Sequence, residues 1–302
     1  MLKNSATAVV PTSGTTARRI SSYLYQHAKV RLRLLLAAPV FWLGLVYIAA
    51  LLMLLITAFW TVDEFTGNTK VVWNVDNIVS LFTDSLYTTV TFRTVGIALA
   101  VTVIDVILAL PIAFFMSKVA GPKLRNLLAI SVLLPLWASY LVKAYAWRSV
   151  LSNTGILQWI LEPFGVKTPG YSILGAAITL GYMWLPYVIL PFYAGLEKVP
   201  GNLLEASSDL GANTFTTVRR VIFPIVLPSI IAGSIFAFSL TLGDYITVNI
   251  VGGASQMLGN LIYTNVGTAN NLPMAAALAL IPIGIMFAYL GAVRRTGALN
   301  NL

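Results

Sequence analysis

The sequence predicts an all-α, polytopic membrane protein with six transmembrane helices and both termini in the cytoplasm. Three observations carry that expectation. Of the 302 residues, 58% are hydrophobic and only 10% are charged, whereas a typical soluble domain has about 25% charged residues. Uncharged apolar stretches recur six times along the chain, each near the roughly 20 residues that cross a bilayer. Lys and Arg fall mainly in alternate connections between those stretches, the asymmetry that sets membrane orientation. A mean hydropathy of +0.84 excludes a soluble enzyme, a secreted domain and a disordered regulator. With no cysteine and a single histidine, His27, the chain has no disulfide, no thiolate nucleophile and no two-histidine metal site.

The elements follow in order. Residues 1–33 form a basic, Ser/Thr-rich cytoplasmic tail. Its segment from Ser21 to Arg33 fits either an unstructured tail that fixes topology or a basic amphipathic helix on anionic lipid. A cleavable signal peptide does not fit, because 27 uncharged residues follow, far more than an h-region. The membrane domain covers 34–296. Its first span runs from Leu34 to Trp60, and an outer connection from Thr61 to Phe92 carries Asp63, Glu64, Asp76 and Asp84. The second span, Thr94 to Ser117, contains Asp105, and the third runs from Asn126 to Val142, just before Lys143. Leu151 to Gly170 is an outer segment lying along the surface. The fourth span is Tyr171 to Leu196 and the fifth is Val221 to Gly243, ending at Asp244. An uncharged outer stretch rich in Gly, Asn and Thr, Asn249 to Leu272, leads to the sixth span, Pro273 to Val293, which Arg294 and Arg295 stop. Residues 297–302 are a short cytoplasmic tail. Of the 19 Lys and Arg residues, 14 fall on the cytoplasmic side and 5 (Lys70, Arg93, Lys143, Arg148 and Lys167) on the other. The net charge of +9 is therefore a positive-inside signature, and nucleic-acid binding is not expected.

Prolines occur in most spans, and Pro186 with Pro191 in the fourth gives a candidate hinge, although packing explains any single one as well.

The chain lacks an obvious energy source. No Gly-Lys dipeptide occurs, so there is no P-loop to cradle nucleotide phosphates. Only Asp105 lies well inside a span, with Lys143 and Asp244 near outer ends. No nucleophile–base pair or metal-ligand cluster is visible, so uphill transport would draw its energy from another subunit.

The most informative stretch is the cytoplasmic connection at 200–224. Asn202 reads as an N-cap with Glu205 three residues on, opening a helix that buries Leu203, Leu204 and Leu210 and stops at Gly211, a residue suited to a left-handed C-cap. Asn213 or Thr214 then starts a second helix leading through Arg219 and Arg220 into the membrane. Two short helices hinged at a glycine form a knob suited to a groove on a partner. The run Glu205-Ala206-Ser207, with Gly211 after three residues and Val221-Ile222-Phe223-Pro224 after nine more, resembles the EAA loop of ABC importer permeases. Ser207 and Phe223 replace the usual alanine and leucine. The resemblance implies a type I importer permease fold with no nucleotide site of its own, in a bacterial cytoplasmic membrane. It implies that Glu205, Ala206, Ser207, Asp209, Gly211, Ala212 and Pro224 form the coupling element for a cytoplasmic ATPase dimer, which binds the ATP. A second permease subunit, paired as a heterodimer, and an extracytoplasmic substrate-binding protein are the other implied partners.

Leu134 to Arg148 is similar to the third span of spermidine/putrescine-type permeases, with Lys143 where arginine is usual. Ser239 to Thr247, followed by Gly252-Gly253, is similar to their fifth span, with Val248 in place of a common proline. The resemblance implies import of an amine-containing solute, spermidine or putrescine first. Related subfamilies carry iron, thiamine, opines and phosphonates. A flexible polycation calls for carboxylates and aromatic faces, which makes Asp105, Asp244 and Tyr245 candidates. Asp105 fits a cavity-facing group or an inter-helix hydrogen bond, and Asp244 fits an outer gate or an N-cap. Tyr140, Lys143 and Trp147 share one helical face, as a pathway stripe or as an interfacial belt with a snorkelling lysine. A self-contained secondary carrier or channel using Asp105 is the alternative from another class.

Overall fold

The computed structural model describes residues 23, 25–63 and 65–295. Most of the 1–33 tail, including Lys3, Arg18 and Arg19, lies outside the described residues, as do Glu64 and the 297–302 tail. The chain divides into a unit ending at Ile56 and a unit beginning at Thr57.

The first unit is dominated by helix α1, Ala28–Thr57, 30 residues with Pro39 inside. Its residues are apolar around the whole circumference, as a membrane span requires. At 1.5 Å per residue it reaches about 45 Å, beyond the ~30 Å hydrocarbon core. The helix begins six residues before the first span expected from hydropathy and takes in Lys29, Arg31 and Arg33. Lys and Arg are good helix formers, so hydrogen bonding continues past the membrane edge.

The second unit opens with a small outer hairpin. Strands β1 (Thr61–Val62) and β2 (Thr69–Lys70) are antiparallel, with Thr61 opposite Lys70 and Val62 opposite Thr69. Asp63 organises its turn. One carboxylate oxygen accepts the N–H groups of Phe65 (2.8 Å) and Thr66 (3.2 Å), and the other meets Lys70 Nζ at 2.6 Å. The bond from Lys70, aided by those backbone donors, holds the Asp63 carboxyl down at about 2. Helix α2 (Asp76–Thr83) buries Leu81, and its Asn77 amide donates to the carbonyls of Ala58 (3.1 Å) and Trp60 (2.8 Å). Helix α3 (Ser85–Phe114) is capped by Asp84, whose side chain accepts the Leu86 N–H, and continues into a π-helical turn, Phe115–Val119.

The third span departs from the uninterrupted helix that hydropathy predicts. Helices α4 (Pro122–Trp137) and α5 (Tyr140–Leu151) meet at a break of 97°. Ala138 (ψ 139°) and Ser139 (ψ 142°) are extended there. Pro135 has already removed a backbone donor from the last turn of α4. The chain then passes through short α6 (Ile156–Leu161) to α7 (Ile173–Glu197), whose N-cap Ser172 accepts the Gly175 N–H.

Helix α8 (Gly201–Asp209), helix α9 (Thr214–Thr217) and a second π turn (Val218–Ile222) lead into α10 (Phe223–Leu242). Two short outer helices, α11 (Ile246–Val251) and α12 (Leu258–Val266), precede α13 (Leu272–Arg295). Five long apolar helices and the one bent pair together give six crossings among the described residues. The core is the mutual packing of α3, α7 and α10, where Val101, Leu180, Val188, Phe192 and Val226 are buried.

Candidate functional site

The cytoplasmic knob has the two-helix form expected, with changed details. Gly211 adopts φ +74°, the left-handed region that only glycine, and occasionally Asn or Asp, visits cheaply. Asn213 caps α9, its side chain accepting the Thr216 N–H at 2.8 Å. The start of α8 differs: Pro200 occupies the N-cap position and no side chain caps it. Asn202 therefore sits one residue inside the helix and forms no capping box with Glu205. The fixed φ of proline, here −67° with ψ 138°, makes it a ready helix-entry residue.

Burial of the knob also departs from expectation. Leu204 is half-buried, while Leu203 is exposed and Leu210 is 87% exposed. A nine-residue helix ending in a tight turn has only one inward face, and Ser207 takes it. Ser207 is buried and exchanges a 2.8 Å hydrogen bond with the Thr217 hydroxyl, tying α8 to α9. Glu205, Ala206, Asp209 and Pro224 remain exposed and Ala212 half-buried. The knob thus presents carboxylates beside Leu210 and an exposed Phe215.

A second constellation lies where the start of α5 and the link after α10 meet the middle of α7. Tyr140, the first residue of α5, donates its hydroxyl to Asp244 Oδ2 and lies 2.5 Å from the Thr247 hydroxyl. Asp244 Oδ1 accepts the Thr247 N–H in the first turn of α11 at 3.0 Å, while the N-cap position itself belongs to Tyr245. Asp244 and Thr247 are both buried. Gly259 lets the chain close over this point: a Cβ there would sit 2.5 Å from the Asp244 carbonyl oxygen. The Tyr140 ring also lies 5.9 Å from Trp184, which in turn lies 5.9 Å from Tyr187. Trp147 contacts Tyr182 at 5.3 Å.

The remaining candidates separate from this cluster. Lys143 is half-buried on α5 and takes part in no ion pair among the described residues. Tyr245 is half-exposed and stacks on Tyr263 at 4.9 Å. Asp105 is completely buried in α3, with neither carboxylate oxygen hydrogen-bonded. It faces α7 at Gly181, where a Cβ would come within 3.2 Å of Oδ1. The inter-helix hydrogen bond open to it in the sequence is therefore not formed. Sequence reasoning missed Thr247 as a partner of Tyr140 and Asp244, and Trp184 as a partner of Tyr140. The only available signal was that Thr247 follows Asp244 at capping distance.

Among described residues no group of three or more His, Cys, Asp or Glu side chains is placed to hold a metal. Residues 10–295 match the family described as binding-protein-dependent transport system inner membrane component. The chain belongs to that family. It is a permease subunit of an ABC importer, a multi-pass component of the bacterial inner membrane, and its role is not enzymatic. It is 40% identical over 299 residues to the inner membrane ABC transporter permease protein YdcU of Escherichia coli K12, covering 94% of this chain and 95% of that protein. It is 36% identical over 211 residues to the spermidine/putrescine transport system permease protein PotB of Haemophilus influenzae, covering 68% and 73%. Its fold is similar to that of a chain from a bacterial ABC transporter that imports the acidic polysaccharide alginate, with a TM-score of 0.64 at 16% identity over 92% of this chain and 99% of the other.

Proposed function

We propose that this permease forms half of a translocation pathway for a polyamine of the spermidine or putrescine type. The observation that carries the solute class is the Asp244 carboxyl on the Tyr140 hydroxyl, with the Tyr140 ring packed against Trp184. A carboxylate and aromatic faces are the two features that attract an ammonium group. The likeness to a permease named for spermidine and putrescine supports the same reading. Asp244 is buried, so the solute reaches it when α5 and α10 part. Asp105, enclosed between α3 and α7, meets the solute only on a larger separation of those helices. Tyr245, Trp147 and Lys143 flank this path.

The knob of α8 and α9 docks into a cytoplasmic ATPase dimer through Glu205, Ala206, Asp209, Ala212 and the exposed Leu210. Gly211 and the Ser207–Thr217 bond keep its two helices in fixed relation, and Pro224 starts the rigid helix that carries the push into the membrane. A second, non-identical permease completes the channel, and an extracytoplasmic binding protein delivers solute to the outer loops.

One observation favours a different solute in the same role. The half-buried Lys143, without an acidic partner among the described residues, repels a polycation and suits an anionic compound such as a phosphonate. The native complex, purified and reconstituted with its binding protein, decides between them. Stimulation of ATP hydrolysis by spermidine or putrescine supports the polyamine reading, and stimulation only by an anionic solute overturns it. Solute flux by the chain alone under an ion gradient would instead indicate a self-contained carrier.

A further inference from the structure

A groove opens at the cytoplasmic ends of α3, α7 and α10. Its volume is about 240 Å³, and its walls include Leu110, Phe114, Val218, Phe223, Val226 and Ile230. Both π turns border it: Phe115–Val119 follows the α3 wall and Val218–Ile222 forms part of the α10 wall. From Val218 to Ile230 the wall covers 12 residue steps, roughly 18 Å at 1.5 Å per residue. That is close to one leaflet, half of the about 30 Å hydrocarbon core. The groove starts where the positive-inside asymmetry places the cytoplasmic headgroups.

Two arginines mark that end. Arg219 and Arg220 are exposed. Neither side chain takes part in an ion pair or hydrogen bond among the described residues, unlike the neighbouring Lys118, which donates to the Val199 carbonyl at 2.9 Å. Arg219 precedes Phe223 by four residues, Val226 by seven and Ile230 by eleven, so it stands on the same helical stripe, level with Val218 at the cytoplasmic part of the wall. An apolar slot one leaflet deep, with two exposed arginines directly following its wall residue Val218, matches a diacyl lipid with a phosphate head.

We propose that this groove binds an anionic phospholipid of the cytoplasmic leaflet, with an acyl chain along Phe114, Val226 and Ile230 and the headgroup phosphate on Arg219 and Arg220. The site is separate from the solute path and reaches the knob at Thr214 of α9. A phospholipid seated there bridges α3 and α10 beside both π turns, where the ATPase-driven motion enters the membrane.

The test uses the full chain in its native complex, embedded in nanodiscs of equal phosphatidylglycerol and phosphatidylethanolamine and released for native mass spectrometry. The wild type retains phosphatidylglycerol over phosphatidylethanolamine by about tenfold. The double variant Arg219→Gln/Arg220→Gln loses that preference, and Val218→Trp, which blocks the mouth, retains neither lipid. An unchanged preference in the double glutamine variant overturns the proposal. A photoreactive benzoylphenylalanine at Phe223, in an otherwise unaltered chain, gives an independent reading. A phospholipid adduct supports the site, and an adduct to another polypeptide overturns it.

Discussion

Tyr140 and Asp244 stand 104 positions apart in the chain and share a hydrogen bond where α5 meets the end of α10. That bond, with Thr247 completing a three-way cluster, fixes the bend of the third span to the link that follows the fifth. Breaking it is expected to cost about 1 kcal/mol per hydrogen bond lost. Tyr140→Phe and Asp244→Asn should each lower the melting temperature of the complex and reduce solute uptake. The double variant should be less destabilised than the two losses added together, because both remove the same contact. A double-mutant thermal unfolding cycle measures that coupling, and strict additivity would show the two groups acting separately.

The knob gives a prediction that separates conformation from chemistry. Gly211→Val forces a β-branched residue into φ +74°, at about 1–2 kcal/mol or more. Gly211→Asn keeps the left-handed turn accessible. Solute-stimulated ATP hydrolysis should be nearly abolished in the valine variant and largely retained in the asparagine variant. Equal activity in both would mean that the turn does not transmit motion.

Asp105 presents the opposite case, a buried carboxyl that stabilises nothing around it. Asp105→Leu should leave stability unchanged or raise it by about 1–3 kcal/mol, since it removes two unsatisfied buried oxygens. Uptake should nonetheless fall, and it should fall in Asp105→Asn too. A stable variant with full transport would remove Asp105 from the path.

The outer hairpin should respond to acid in a defined window. Asp63 has an ordinary value of 3.8 in the unfolded chain and about 2 when its turn is formed. A depressed folded value means that its contribution is complete above 3.8 and is lost as pH falls from there through 2. Hydrogen exchange at Phe65 and Thr66 should therefore show protection independent of pH in this respect down to about pH 4, then decline. In Asp63→Asn that acid-dependent step should be absent.

Hydropathy located the apolar segments because desolvating a charge dominates every other local term in a membrane, although the helices of the first and second begin six and nine residues before the expected spans. The same simplicity hid the break at Ala138 and Ser139. Both sides of it are apolar, so composition does not change where direction does. Gly211 was legible since one residue type dominates that backbone conformation, whereas Pro200 displaced Asn202 as the cap through a geometric preference that competes at adjacent positions. The Tyr140–Asp244 pairing carries no local signal at all. It arises from the packing of α5 against α11 and α7, and only three-dimensional packing brings such distant groups within hydrogen-bond reach.

The right-angled break in the third span has a bearing on how stiff that crossing is. Helix α4 has 16 residues and extends about 24 Å, less than the hydrocarbon depth of about 30 Å. The next helix turns away at 97°, so α4 alone does not wall off the outermost part of the crossing. The third crossing is thus built from two short rods meeting at a right angle, and its stiffness along the membrane normal rests on how α5 is held by its neighbours.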